Sequence, residues 1–212
     1  MSRTHDCTGD TDRATAIADA ANAIRRGDLV VLPTDTVYGI AADAFSPNAV
    51  RRLLDAKGRG RDVPVPVLVG SWRTVNGLVE SLPDTAKDLI AAFWPGPLTL
   101  VLRQGSGLTW DLGDTKGTVA VRMPLHPVAI ELLTETGPLA VSSANKHGNP
   151  APVTAGEAEA QLGPMVEVYL DGGASEDRTP STILDLTGAE PRLLREGAID
   201  RVRLGEVIGD LS

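Results

Sequence analysis

The sequence predicts an α/β protein with a twisted, open, mixed sheet flanked by helices. Three observations lead there. Short apolar runs, strand-like in length, alternate with stretches whose apolar residues recur at helical spacing. Gly and Pro, 22 and 15 of 212 residues, cluster between those segments as turns. Several apolar runs are interrupted or bordered by proline, which a purely parallel sheet tolerates poorly.

Residues 1–11 read as a flexible tail carrying the single cysteine, Cys7, and residues 12–212 as one domain. Between Asp12 and Arg26, Ile17, Ala21 and Ile24 share one helical face, and Gly27 stops the helix. Leu29–Leu32 is a short buried strand, followed by the turn-rich Pro33-Thr34-Asp35-Thr36. Ser46 caps a second helix with Pro47 in its first turn, which buries Val50, Leu53 and Leu54 and ends near Lys57-Gly58-Arg59. Val65–Val69 reads as an edge strand because of Pro64 and Pro66. Helical stretches follow around 72–79 and 85–93. Trp94-Pro95-Gly96-Pro97 then turns the chain into strand Leu98–Leu102. Gln104–Gly117 is a polar, Gly-rich loop, a candidate lid. Strand Thr118–Arg122, helix Pro127–Thr136 and strand Leu139–Ser142 come next. Thr154 and Glu157 then form a capping box. Strands at 166–170, 181–186 and 192–194 and a helix at 200–211 complete the chain.

Composition excludes several function classes. The charge of −8 works against a protein whose main task is gripping a phosphate backbone, and 3% aromatics leave few rings for base stacking. One cysteine permits no intrachain disulfide, which fits a reducing, cytoplasmic compartment. No apolar run is long enough to span a bilayer, so no membrane partner is expected. There is no P-loop, no dinucleotide GxGxxG and no GxSxG elbow. His5, His126 and His147 lack metal-ligand spacing, so no protein-held metal is expected.

What remains is a set of polar and cationic residues at strand and helix ends: Thr34, Asp35 and Thr36; Lys57 and Arg59; Arg122; Ser142, Ser143 and Asn145; Ser181 and Thr182; and Arg195. In open α/β sheets ligands bind where such loops converge. Arginine grips a carboxylate or phosphate through two parallel N–H groups, lysine acts as a point charge, and hydroxyls add neutral hydrogen bonds. The residues alone therefore indicate an anion-binding α/β protein.

Seven segments go further. Leu32-Pro33-Thr34-Asp35-Thr36-Val37-Tyr38-Gly39-Ile40, Lys57-Gly58-Arg59, Trp94-Pro95-Gly96-Pro97-Leu98-Thr99, Val119-Ala120-Val121-Arg122-Met123-Pro124, Ser143-Ala144-Asn145, Ser181-Thr182-Ile183 and Leu194-Arg195-Glu196-Gly197 occur in this order. Together they resemble the signatures of the YrdC/TsaC family of threonylcarbamoyl-AMP synthases, in its short form without an extra C-terminal domain. The resemblance implies a concave α/β site joining L-threonine, bicarbonate and ATP, with Mg²⁺ carried by the phosphates. It implies that Lys57, Arg59, Thr118, Asn145 and Arg195 contact ATP, and that Thr34, Arg122, Ser143 and Ser181 surround threonine. Catalysis would fall to Lys57, Arg59 and Arg122 through positioning and charge neutralisation. A downstream threonylcarbamoyl transferase and a weak tRNA contact are the further partners implied. Two departures stand out: Gly60 replaces the proline that usually follows KxR, and Leu68 occupies the place of a histidine that normally helps hold threonine. Leu68 keeps open a related carbamoyl-adenylating enzyme with another substrate. A non-catalytic RNA-binding protein is the other alternative. His147 reads as a loop residue.

Overall fold

A computed structural model describes residues 2–9, 12–176 and 178–209. The strands are β1 (Arg3–Asp6), β2 (Val30–Leu32), β3 (Gly39–Asp43), β4 (Val67–Leu68), β5 (Leu98–Arg103), β6 (Thr118–Arg122), β7 (Leu139–Ser143), β8 (Val168–Asp171), β9 (Thr182–Asp185) and β10 (Arg192–Arg195). The helices are α1 (Arg13–Arg25), α2 (Pro47–Lys57), α3 (Asp84–Phe93), α4 (Pro127–Thr136), α5 (Ala155–Leu162) and α6 (Arg201–Ile208). No helix among the described residues is long and apolar enough to cross a membrane.

All ten strands join one mixed sheet in the order β1-β8-β2-β3-β7-β4-β6-β5-β9-β10. β8 pairs in parallel with β1 and β2, β4 with β6, and β5 with β9; the remaining pairings are antiparallel. Two apolar layers cover the sheet. One packs α2, α3, α5 and α6 through residues such as Leu53, Leu89, Leu162 and Leu204. The other packs α1 against α4 through Ala20, Ile24, Ala129 and Leu132.

Four expectations are corrected. Residues 3–7 belong to the fold and are no flexible tail: Arg3–Asp6 is an edge strand beside β8, and Cys7 is buried at 2% exposure. Burial pushes its thiol pKa up to about 11. β3, built largely from glycine and alanine, was missed because small residues give no β-branched alternation. The Val65–Val69 segment lies at the centre of the sheet, not the edge. Only Val67 and Leu68 ladder there, and Pro66 takes part through its carbonyl, which accepts from Val141 N at 2.8 Å. No residue of the 104–117 loop lines the cavity described below, and the loop is packed onto the body rather than standing over it as a lid. Trp110 and Leu112 are buried, Trp110 stacks on Phe45, and Leu112 O accepts from Val65 N. The helical stretch expected around 72–79 is a 3₁₀ helix over Trp72–Gly77, and Leu211 of the last expected helix lies outside the described residues.

Candidate active site

A cavity of about 450 Å³ opens where the ends of β2, β7, β6 and β9 meet the loops that follow or precede them. Thr34, Arg59, Arg122, Ser143, Asn145, Ser181 and Arg195 all line it, so seven of the nine expected site residues come together. Arg178 joins them, and none of the lining residues is a carboxylate.

The floor is a connected hydrogen-bond chain. Arg122, at the end of β6, is 6% exposed. Its Nη1 donates to Thr36 Oγ1 (3.1 Å), its Nε to Gly96 O (3.0 Å), and its Nη2 to Asp35 Oδ1. Thr34 Oγ1 donates to Val37 O (2.7 Å), so its only proton is spent there, and Thr36 must be the donor in the 3.0 Å Thr34–Thr36 contact. Polarity thus runs from the guanidinium through two hydroxyls to a carbonyl. Asp35 also accepts from Leu125 N (2.9 Å), while its Oδ2 is buried without a partner in the structure. Burial pulls the Arg122 pKa down and the Asp35 carboxylate opposes it; an arginine remains charged under either influence. The sequence offers Asp35 among the polar strand-end residues, with no role of its own. Its role as counter-ion to Arg122 needs the fold, because 87 residues separate the two.

Ser181, just before β9, bonds to Thr99 Oγ1 at 2.9 Å and is held by Arg195 of β10. Arg195 donates to Ser181 O through Nε (3.0 Å) and Nη2 (2.7 Å) and reaches its Oγ at 3.1 Å. Burial, and secondarily Arg122, lower the Arg195 pKa. A β-bulge between Leu193 and Arg195 breaks the β9–β10 register just before Arg195. Gly197 packs so tightly on this turn that a Cβ there would meet Pro180 O and lie 2.6 Å from the Ser181 carbonyl carbon.

The third wall grows from the end of α2. Gly58 takes a left-handed conformation (φ 63°), which only glycine adopts cheaply, and closes the helix. Arg59 then turns to the cavity and donates to Val63 O (2.6 Å), Pro64 O (3.1 Å) and Ser142 Oγ (3.3 Å). Burial lowers its pKa.

Two expected residues do not line the cavity. Lys57 is 2% exposed beneath the wall, where Nζ donates to Ser143 O and to Asn145 O (2.7 Å). Desolvation, with a smaller push from Arg59, brings its pKa down to about 8. Lys57 does not line the cavity here; it grips the backbone of the Ser143-Ala144-Asn145 turn. Thr118 stands at the far end of β6, about 13 Å from Arg122 at ordinary strand rise, and its hydroxyl donates to Thr115 O. The cavity does not bring Thr118 to the seven that line it. Asn145 donates to Lys146 O and Asn149 O (both 2.9 Å), leaving its buried Oδ1 without a partner in the structure. Leu68 contributes an apolar surface to the wall, and His147 is exposed.

Fold and cavity together define an α/β protein that presents guanidinium, hydroxyl and amide groups to an anionic ligand. The Sua5/YciO/YrdC family model, described as Telomere recombination, matches residues 22–197. The chain belongs to that family. A Mycobacterium tuberculosis relative, provisionally named a threonylcarbamoyl-AMP synthase, is 61% identical over 209 residues, covering 99% of this chain and 96% of that protein. A Pyrococcus abyssi threonylcarbamoyl-AMP synthase is 39% identical over 193 residues; this chain spans 57% of its length. The crystal structure of P. abyssi Sua5 complexed with L-threonine superimposes with a TM-score of 0.92 at 36% identity, covering all of this chain and 62% of that one.

Proposed function

We propose that this protein is an L-threonylcarbamoyladenylate synthase, forming threonylcarbamoyl-AMP and pyrophosphate from L-threonine, bicarbonate and ATP for tRNA modification. The observation that carries the reading is one cavity in which Arg59, Arg122 and Arg195 meet Thr34, Ser143, Ser181 and Asn145 with no carboxylate on the wall. Relatives named for this activity, the Mycobacterium tuberculosis one provisionally, align over nearly the whole chain and support it.

The threonine amine and bicarbonate give a carbamate and water. A carbamate oxygen then attacks the α-phosphorus of ATP, the bond to the bridging oxygen breaks, and pyrophosphate leaves. The attacking group is already anionic, so the protein's work is positioning and charge compensation. Arg122 receives the threonine carboxylate; Asp35 and Thr36 behind it fix the guanidinium plane. Thr34, Ser143 and Ser181 surround the amino acid. Arg59 and Arg195 face phosphate oxygens, and Asn145 Oδ1 is an acceptor poised for a donor on the nucleotide. Lys57 positions the Ser143–Asn145 turn from beneath. The wall's donor set suits phosphate oxygens rather than a bare divalent ion, so Mg²⁺ is assigned to the triphosphate that brings it. A cytoplasmic setting follows from the substrates. tRNA and a transferase are partners of the product.

Purified protein with ATP, bicarbonate and threonine should yield threonylcarbamoyl-AMP by mass spectrometry; ATP bound and no such product would refute the reading. Leu68 on the wall keeps one second reading, a different carbamate. Faster pyrophosphate release with serine or carbamoyl phosphate than with threonine would favour it.

A further inference from the structure

Arg178 is the cation that neither the motifs nor the resemblance singled out. It lies on the cavity wall, in the segment that joins β8 to β9. The segment is stitched to the one preceding α5 at three points. Ser175 N donates to Val153 O (2.8 Å), Arg178 Nη1 to Ala151 O, and Arg178 Nη2 to Glu157 Oε1 (2.9 Å). Glu157 is itself fixed. Its Oε2 accepts from Val153 N (3.0 Å), and its own N–H donates to Thr154 Oγ1 (3.1 Å) at the capped start of α5. Arg178 is therefore half exposed (50% of its side chain) yet held at both ends of its guanidinium.

An Arg–Glu pair this exposed contributes little to stability, so stability alone gives little reason for it. Its effect on the cavity is larger. Arg122 is buried in the floor, Arg59 is half-buried on the α2 wall, and Arg195 of β10 is exposed with its guanidinium tied to Ser181. Arg178 adds a fourth, solvent-exposed guanidinium to the wall, bonded to Ala151 O from a segment that carries none of the other three. Four guanidinium groups around one hollow, with no carboxylate among its lining residues, exceed what a single amino-acid carboxylate requires. A triphosphate needs more. A guanidinium already ordered by its tethers loses less entropy on gripping phosphate than a free surface arginine would.

We propose that Arg178 is a further substrate-binding residue of this site, holding the triphosphate tail, the part that leaves as pyrophosphate, from the solvent side. The proposal rests on the nucleotide-binding reading above and names a ligand contact that this reading does not include.

The test is calorimetric titration of ATP and of inorganic pyrophosphate into the wild type, Arg178→Ala, Arg178→Lys, Glu157→Gln and the remote control Arg73→Ala. Arg178→Ala is expected to weaken both ligands about tenfold, the scale of a lost charged hydrogen bond. Arg178→Lys should fall between, and Glu157→Gln should stay within about twofold, since the charge at the cavity survives. Threonine affinity and Arg73→Ala should not change. Melting temperatures keep folding separate from binding. Wild-type ATP and pyrophosphate affinity in folded Arg178→Ala overturns the proposal. So does an equal loss in Arg178→Ala and Glu157→Gln, which marks a strap between two loops. Neither outcome touches the synthase reading, which is read from product formation by the wild type.

Discussion

Asp35 and Arg122 form a pair almost without water, with side-chain exposures of 11% and 7%. Removing one partner of such a pair leaves the other charge uncompensated and costs about 3–5 kcal/mol. Asp35→Asn should therefore destabilise the protein on that scale in urea titrations. The double replacement Asp35→Asn with Arg122→Met should lose less than the two single changes summed. In the folded fraction, Arg122→Lys should lose threonine-dependent turnover while keeping ATP affinity, because a point charge cannot grip a carboxylate as a planar fork does. ATP affinity falling in step with turnover would place Arg122 at the phosphates instead.

Lys57 makes a pH-dependent contribution whose sign can be worked out. Its folded pKa, about 8, lies below the ordinary lysine value of 10.5. Below about pH 8 both states carry the proton, and the folded state bears the whole penalty of a buried ammonium. Between about 8 and 10.5 the unfolded chain holds the proton and the folded protein has released it, so stability rises with pH in that window. Compared with Lys57→Met, the wild type should gain stability between pH 8 and 10, by about 1 to 3 kcal/mol given the size of the shift. A pH-independent difference in urea midpoints would contradict this.

At the scale of elements, the loop between β10 and α6 and the start of β9 act as one piece. Thr182 Oγ1 donates to Ile199 O and accepts from Gly197 N and Ile199 N (both 3.0 Å), and Gly197 lies against the Ser181 backbone. Gly197→Ala has no room for its methyl group without moving Pro180 or Ser181. It should cost about 1–3 kcal/mol by overpacking and raise the threonine KM more than the ATP KM. An unchanged threonine KM would mean that Ser181 does not touch the amino acid.

Much of the element plan was legible in the sequence, because helix α2 announces itself with Ser46-Pro47 and Gly58, and strands β5 to β7 are unbroken apolar runs. β1 was not legible: Arg-Thr-His-Asp has no apolar residue, and only its parallel pairing with β8 makes it a strand. The site residues were legible through motifs, which carry no direction. Whether Lys57 points at a phosphate or at the carbonyls of Ser143 and Asn145 depends on how α2 packs on the end of β7. No local pattern records that.

For the whole molecule, charge and site pull in opposite directions. The chain carries −8, whereas the cavity gathers Arg59, Arg122, Arg178 and Arg195. A local positive field inside a negative body favours small polyanions that enter the hollow over long ones that must lie across the surface. That is consistent with ATP as ligand and with the low expectation of tRNA grip.

The two-residue ladder of β4 has a further consequence. On one side of it lie β1, β8, β2, β3 and β7; on the other lie β6, β5, β9 and β10. Within the sheet the halves are joined by the two-residue ladder of Val67 and Leu68, flanked by Val141 N to Pro66 O and Val69 N to Arg122 O, so the sheet has a seam where few amide bonds resist separation. Thr34, Ser143 and Asn145 stand on the first half, and Arg122, Ser181 and Arg195 on the second. A nucleotide and an amino acid bound together would bridge the seam like a rivet. Deuterium uptake at Val67, Val69 and Val121 should slow when both are present, and far less with either one alone.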